Sequence, residues 1–504
     1  MKINDLIYNL PTNDEATWDT ICIGDTKGIF QLESPLCRHW SKESKPRSIQ
    51  ELSDLISIVR PGTLESKLTD ENGKTKSLTQ VYCDRKNKID TIKFQHPDLE
   101  KILGSTQGII VYQEQAMRLA QILAGFDLIQ ADILRKAIGT KDAKIMSSLE
   151  STFLDGCKLV GKVDEVLAKE IFDNIKNSQR YSFNASHGIS YSYISYWTAY
   201  LKTHYPLEFY TEYLNNAKDK PKPKQEIKEL VTDAQRHDIN VRMTYLSDLR
   251  EDGIVDFYHK NGEILFGVQH VKQIGKAHIK SLLNTLGKNP TWIDILQAGL
   301  QKQTMINLTS VGFFDEYGLS RKDMLHQYTI YNKLSEREIT LTLECTGTLK
   351  DKFLFLLDKV NIRRQVIIKD LIKAIDNPPY SLTDDAGWKY DVENELLGIC
   401  LDYHKTDISE EIPNTTCKEV NDGKQGECTL VLEITEPKEY KIKNGKSKGD
   451  PMGSFNGSDN TGEIKCMIFS ETWVENRHKL YPGAVIFVLG YPGKKGGFVI
   501  SKVK

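Results

Sequence analysis

The sequence predicts an α+β protein of several domains, mostly helical for about its first 390 residues and ending in a small β-barrel. Three observations predict this. With 504 residues the chain is long enough for roughly three or four domains, each with its own core. Helix starts and stops recur through the first two-thirds, with Pro at openings and Gly at closings. Beyond residue 428, short runs rich in Val, Ile, Leu and Phe are separated by Gly- and Asn-rich stretches.

The elements follow in order. Pro97 opens a helix that Gly104 closes. Residues 108–112 read as a short apolar strand. Residues 113–123 are amphipathic and end at Gly125, and residues 128–138 form the next helix, ending at Gly139. Residues 181–213 hold eleven aromatics, among them eight of the chain's 22 tyrosines. Tyr193, Trp197 and Tyr200 fall at i, i+4 and i+7, which is helical spacing, and Pro206 stops that helix. Residues 184–187 are a polar turn that opens it. Backbone N–H groups at a helix start, beside Ser186 and His187, form an anion site. Aromatics next to a phosphate-sized site suit a nucleotide. Taken alone, the same run also reads as a tyrosine-rich core helix. Residues 218–224, Lys-Asp-Lys-Pro-Lys-Pro-Lys, form a stiff basic connector. Helices dominate 225–330, and 331–390 is the least readable stretch. Strands follow at 429–435, 463–469, 484–491 and 497–503, with a Gly/Ser/Asn-rich turn near 443–460.

Composition narrows the function classes. The net charge of −2 is no nucleic-acid signature, so any DNA contacts are local or shared with a partner. Nine cysteines without a Cys-x-x-Cys indicate neither a disulfide framework nor a zinc ribbon, and read as a reduced cytoplasm. No stretch approaches the roughly eighteen apolar residues of a membrane span, and no apolar signal region follows Met1.

Five stretches then occur in a fixed order. They are Gly28-Ile-Phe-Gln-Leu-Glu-Ser34, Val59-Arg-Pro-Gly62, Gly108-Ile-Ile-Val-Tyr-Gln-Glu-Gln115, Ala131-Asp-Ile-Leu-Arg-Lys-Ala-Ile-Gly-Thr-Lys141 and the Tyr-rich run with Phe183-Asn-Ala-Ser-His187. Together they resemble the fingers domain of the bacterial replicative DNA polymerase III alpha subunit, the C family of DNA polymerases. The resemblance covers about residues 20–330, and 391–504 more loosely. It implies a palm-to-fingers junction in 1–34, a mostly helical fingers domain in 35–215, a helical domain with a helix-hairpin-helix element in 216–390, and an OB-fold barrel in 391–504.

The resemblance also implies roles. Arg135, Lys136 and Lys141 reach the incoming triphosphate, although by themselves they read as cations complementing a helix end. Arg60 serves nucleotide or template, or is simply the turn residue ahead of Pro61. Asn184, Ser186 and His187 match a Phe-Asn-x-Ser-His motif, with Ala185 where lysine is usual. Glu114 holds a basic residue in place. Residues 271–278 resemble the hairpin, with Lys272, Gly275 and Lys276 toward a DNA phosphate; Gln273 stands where the first glycine is usual.

No catalytic residue and no metal ligand is assigned in this chain. Two-metal nucleotide transfer needs clustered carboxylates. The chain has no Asp-x-Asp, and Asp384-Asp385 are neighbours that point apart on an extended chain. In the family the palm aspartates lie ahead of the segment that matches Met1 onward. The expectation is therefore the carboxy-terminal half of a divided polymerase, encoded by a bacteriophage and working in the host cytoplasm. Its partners are a palm-bearing chain that binds most of the Mg²⁺, primer–template DNA and dNTP. A sliding clamp or other processivity factor is a further partner, although no Gln-x-x-Leu-Phe pentapeptide stands in 331–390. The rival reading is a non-catalytic DNA-binding module that uses the barrel and the hairpin.

Overall fold

A computed structural model describes residues 9–69, 75–140, 143–287, 289–442, 447–493 and 497–504. The chain divides into two units, Met1–Phe209 and Tyr210–Lys504. Short polar side chains start the helices of the first unit. Asp14, Ser34, Ser48 and Ser77 each accept a hydrogen bond from a first-turn backbone N–H, of Thr17, Cys37, Glu51 and Gln80 respectively.

Two cores hold this unit. In one, the Gln113–Ala124 helix buries Ala116, Leu119, Ala120 and Leu123, the i, i+3, i+4, i+7 stripe of an amphipathic helix. They pack with Leu134 and Ile138 of the Leu128–Thr140 helix and Phe153 of the Ala143–Val160 helix. Gly156 permits the approach, since a Cβ there would lie 2.1 Å from the Ala124 carbonyl oxygen. The other core gathers Trp18, Leu55, Tyr82, Tyr112 and Tyr196. Here the Ala185–His204 helix turns Gly188, Ser192, Tyr196 and Ala199 inward against the Ile49–Ile58 helix. The stripe of Tyr193, Trp197 and Tyr200 is not the buried face: Tyr193 is exposed and the other two are half-buried. Small residues win that face because they let the two helices lie close.

Two local expectations change. Residues 108–112 form no strand beyond a single bridge, Tyr112 with Phe183. Gln107 and Gly108 both take positive φ, at 57° and 77°, so the chain turns where a ladder would begin. The helix expected to end at Gly139 runs on to Thr140, because Gly139 keeps helical geometry.

In the second unit, Val241–Met243 pairs parallel with Glu263–Phe266, which pairs antiparallel with Tyr258–Lys260. Arg321, nearly buried, joins Asp315 at 2.8 Å and Glu393 at 2.5 Å, and Glu393 in turn accepts from the Leu401 N–H at 2.7 Å. Residues 331–390 hold three complete helices, Glu336–Thr342, Leu349–Leu357 and Ile362–Asp376, and the start of a fourth, Ala386–Leu397. The last strands close a barrel in the order Phe498–Val503, Gly462–Ile468, Pro451–Asp459, Cys428–Lys441, Val485–Pro492. The first two of these are parallel and all other pairs antiparallel. In chain order this is 1-2-3-5-4 closing on strand 1, the OB-fold arrangement. The stretch read as a turn near 443–460 is a correction: Pro451–Asp459 is the second strand. Its glycines lie under large side chains, Gly453 under Trp473 and Gly457 under Leu432, so they mark close packing and not a bend. Among the described residues no helix is long and apolar enough to cross a membrane.

Candidate nucleotide site

The site is built where three segments of the first unit meet. The Tyr112–Phe183 bridge sets two of them side by side: the Phe183 N–H donates to the Val111 carbonyl and the Gln113 N–H to the Phe183 carbonyl, both at 2.9 Å. Next along the chain, Glu114 accepts from Asn184 Nδ2 and from the Ala185 N–H, each at 3.0 Å. Glu114 thus holds the start of the Ala185–His204 helix and not a basic side chain. It is an anion at a helix N-terminus, where the dipole favours it. Both its oxygens are engaged there.

Asn184 caps the same helix: its Oδ1 accepts from the His187 N–H at 2.9 Å and from Ser186 Oγ at 2.7 Å. The helix start is therefore less open to an anion than the sequence suggests. Glu114 takes the Ala185 N–H, Asn184 takes that of His187, and the Ser186 N–H is left without a partner among the described residues.

Arg60 supplies what the backbone does not. It stands at the start of the Pro61–Glu65 helix, and Gly62 is needed there because a Cβ would lie 2.7 Å from the Arg180 carbonyl oxygen. This places the Arg60 guanidinium 3.7 Å above the centre of the Phe183 ring. Burial pushes Arg60 below its ordinary range, and no carboxylate among the described residues pairs with it. From Phe183 an aromatic row continues to His187 at 5.2 Å, to Tyr191 at 4.0 Å and to Phe30 at 5.3 Å between ring centres. The sequence reading missed Phe30 and Tyr191, although Phe183, His187 and Tyr191 stand at i, i+4 and i+8.

Arg135 and Lys136 are on the Leu128–Thr140 helix, and both grip Asp132. Arg135 donates through Nε and Nη2 at 2.9 and 2.8 Å, and the Lys136 ammonium lies at 2.9 Å. The carboxyl of Asp132 is held below its usual range by Lys136 first and Arg135 next. At the end of this helix a Cβ on Gly139 would lie 3.8 Å from Gln113 Nε2. Arg135 is one turn back on the same face. Lys141 lies outside the described residues.

The hairpin residues are in the second unit. Gln273 takes the left-handed conformation at φ 65°, the region that favours glycine. Lys272 is occupied on all sides: its N–H donates to the Leu396 carbonyl at 2.9 Å, its carbonyl accepts from Asn307 Nδ2 at 2.7 Å, and its ammonium pairs with Glu395 at 2.9 Å. Gly275 precedes the Lys276–Thr285 helix and donates to His278 Nδ1 at 3.2 Å. Asp384 and Asp385 are helix caps. Asp384 accepts from the Arg321 and Lys322 N–H groups at 2.9 and 3.0 Å, and Asp385 from that of Trp388 at 2.8 Å.

Residues 2–161 match the family described as the bacterial DNA polymerase III alpha subunit finger domain. DNA polymerase III subunit alpha of Aquifex aeolicus is 29% identical over 494 residues, covering 96% of this chain and 38% of that protein. The Campylobacter jejuni protein of the same name is 28% identical over 534 residues, with 99% and 41% covered. That of Staphylococcus epidermidis is 32% identical over 334 residues, with 64% and 29% covered. The chain thus spans well under half the length of these relatives. With its five motifs in order, a helical first unit and an OB-type barrel in the second, the chain is similar over nearly its whole length to bacterial DNA polymerase III alpha subunits, and its residues 2–161 match their finger-domain family.

Proposed function

We propose that this chain is the fingers-bearing part of a replicative DNA polymerase and that its first unit receives the incoming deoxynucleoside triphosphate. The observation that carries this reading is Arg60, a half-buried cation stacked on Phe183 beside the Glu114-anchored helix start. A phosphate oxygen gives Arg60 its counter-ion and accepts from the Ser186 N–H and His187. Arg135 and Lys136 approach from the neighbouring helix, and in this reading Lys141 acts with them. Asp132 holds the first two until a phosphate replaces it; exposed pairs of this kind exchange at little cost. These cations neutralise charge growing on the departing pyrophosphate. Primer–template DNA runs over the hairpin, at Lys272, Gly275 and Lys276, and over the barrel. Lys272 has first to leave Glu395. Mg²⁺ is held mainly by carboxylates of a palm-bearing partner chain, since Glu114 is committed to Asn184 and Ala185.

The purified chain with primed template, dNTPs and Mg²⁺ is expected to extend nothing, and adding the palm-bearing chain is expected to restore extension. Extension by the chain alone overturns the division of labour. In the two-chain enzyme, Arg135→Ala is expected to fold and to bind primer–template normally, but to lose on the order of 100-fold in kcat/KM for dNTP. Lys136→Ala is expected to lose less, lysine being the less directional phosphate ligand. Wild-type dNTP kinetics in the Arg135 variant would return that residue to a purely structural pairing with Asp132.

A further inference from the structure

Asp54 lies in the middle of the Ile49–Ile58 helix and is 0% exposed. Its Oδ1 accepts from Tyr112 Oη at 2.7 Å and Gln50 Nε2 at 3.0 Å, and its Oδ2 from Tyr82 Oη at 2.9 Å. Three donors and no acceptor face it, which suits the ionised acid. A buried carboxylate with no cation is costly, and neutral donors are its compensation.

What Asp54 holds leads outward to the nucleotide site. The Tyr112 hydroxyl also bonds Ser53 Oγ at 2.7 Å. The Tyr112 ring, with Ser53 and Ser57, forms the floor on which Gly188 rests: a Cβ there would meet the serine oxygens at 2.7 and 3.1 Å and the ring at 3.5 Å. The Tyr112 backbone is bridged to Phe183, and Arg60 lies on the Phe183 ring. One hydrogen bond, donated by Tyr112 to the buried acid, therefore fixes the strip that seats Phe183, Arg60 and the first turn of the Ala185–His204 helix.

We propose that Asp54 is a positioning residue for the nucleotide site, holding Phe183 and the 184–188 turn in place through the Tyr112 hydroxyl, and doing so only as a carboxylate. This rests on the reading of that site as a triphosphate site. Burial pushes Asp54 up to about 6, against the lowering effect of its Tyr112, Gln50 and Tyr82 hydrogen bonds. The groups facing it are these three, with Glu51 a like charge on the same helix that itself pairs with Lys86 at 3.2 Å. The Ala185–His204 helix brings Gly188 to this floor. A protonated Asp54 has a hydrogen to donate where every neighbour is donating, so one phenol bond is lost or reversed.

The test is the affinity of the purified chain for dATP, for wild type, Asp54→Asn and Arg60→Ala, at about pH 7.5 and about pH 5, either side of the Asp54 titration. Asp54→Asn is expected to weaken dATP about tenfold at the higher pH, the usual scale for removing a group that orients a ligand-binding residue. The ratio of variant to wild type should fall toward one at the lower pH, where wild type also carries a neutral side chain. Titration of dATP is common to both proteins and cancels in the ratio. A ratio near one at the higher pH, or one that does not change with pH, overturns the proposal. Arg60→Ala separates the two ideas. If it weakens dATP while Asp54→Asn does not, only the positioning role falls. If it binds dATP as wild type does, the site reading falls and the proposal with it. Should Asp54→Asn fail to fold, Tyr112→Phe carries the test with the same expected ratios, since it keeps the ring and the backbone bridge and removes only the hydroxyl.

Discussion

A Cβ on Gly188 would lie 2.7 Å from Ser53 Oγ, and that hydroxyl is tied to Tyr112. Helix propensity alone favours alanine over glycine by about 0.5–1 kcal/mol. Overpacking a tight contact costs about 1–3 kcal/mol. Because Ser53 cannot turn away without releasing Tyr112, the second effect wins. Gly188→Ala is expected to lower stability by about 1 kcal/mol in thermal melts, and a variant as stable as wild type would contradict this packing. At this scale the structure brings Asn184, Ser186 and His187 together at one helix start, with Arg60 on the neighbouring Phe183 ring. The sequence did not show how the helix start is satisfied, because Glu114 is far away in the chain. Nor did it reveal Asp54: an acid inside the apolar run 52–59 is the only signal, and its two phenol partners come from other elements.

Elements were legible where their own residues terminate them. The helix Gln113–Ala124 with Gly125 at φ 68° and the helix Pro97–Leu103 after His96 follow the capping rules. The helices in 331–390 carry the same signals, since Ser335 and Glu338 form a capping box, as do Thr348 and Asp351. The apolar pattern there is short, which hid them. The second barrel strand was not legible. Glycine, serine and asparagine are turn residues by propensity, but barrel pairing on both edges overrides that. Gly453 tests the point, because a Cβ there would lie 1.9 Å from the Trp473 ring. Gly453→Ala is expected to destabilise the barrel by on the order of 1–3 kcal/mol. Gly275→Ala, whose nearest obstacle is His278 Nδ1 at 3.8 Å, is expected to fold as wild type does. Equal melting of both variants would mean that Trp473 yields easily and that the glycine is not a packing requirement.

Over the whole molecule, two buried acids respond to pH with opposite sign, one in each unit. Asp54 in the first unit is raised to about 6, above its unfolded value, so its folded form gains stability as pH falls through about 6. Glu338 in the second unit is held down to about 2 by Arg364, which donates to it at 2.7 and 2.5 Å. Its contribution is present above the unfolded carboxylate range and is lost as pH falls from about 4.5 toward 2. Hydrogen exchange is expected to show the 49–58 helix better protected at about pH 5.5 than at about pH 7.5, after correction for intrinsic rates. Glu338→Gln should remove part of the acid loss of the 336–342 helix. Falling protection of 49–58 over the first interval would mean that Asp54 is not the buried anion its surroundings indicate.

By itself the sequence determined the class of fold, the order of the motifs and the family likeness, because those depend on local pattern: caps, apolar period, and residue types at fixed spacing. Only the tertiary structure decided which groups meet. Glu114 and Asn184 are 70 residues apart, Asp54 and Tyr112 are 58 apart, and each pair shares a hydrogen bond. Such contacts depend on how helices with small faces pack, and no local pattern carries that information. The same holds for the ions at the site. The i, i+3 and i, i+4 spacing of Asp132 with Arg135 and Lys136 allows an ion pair on the helix surface but does not decide it, and in the folded chain both cations meet that acid.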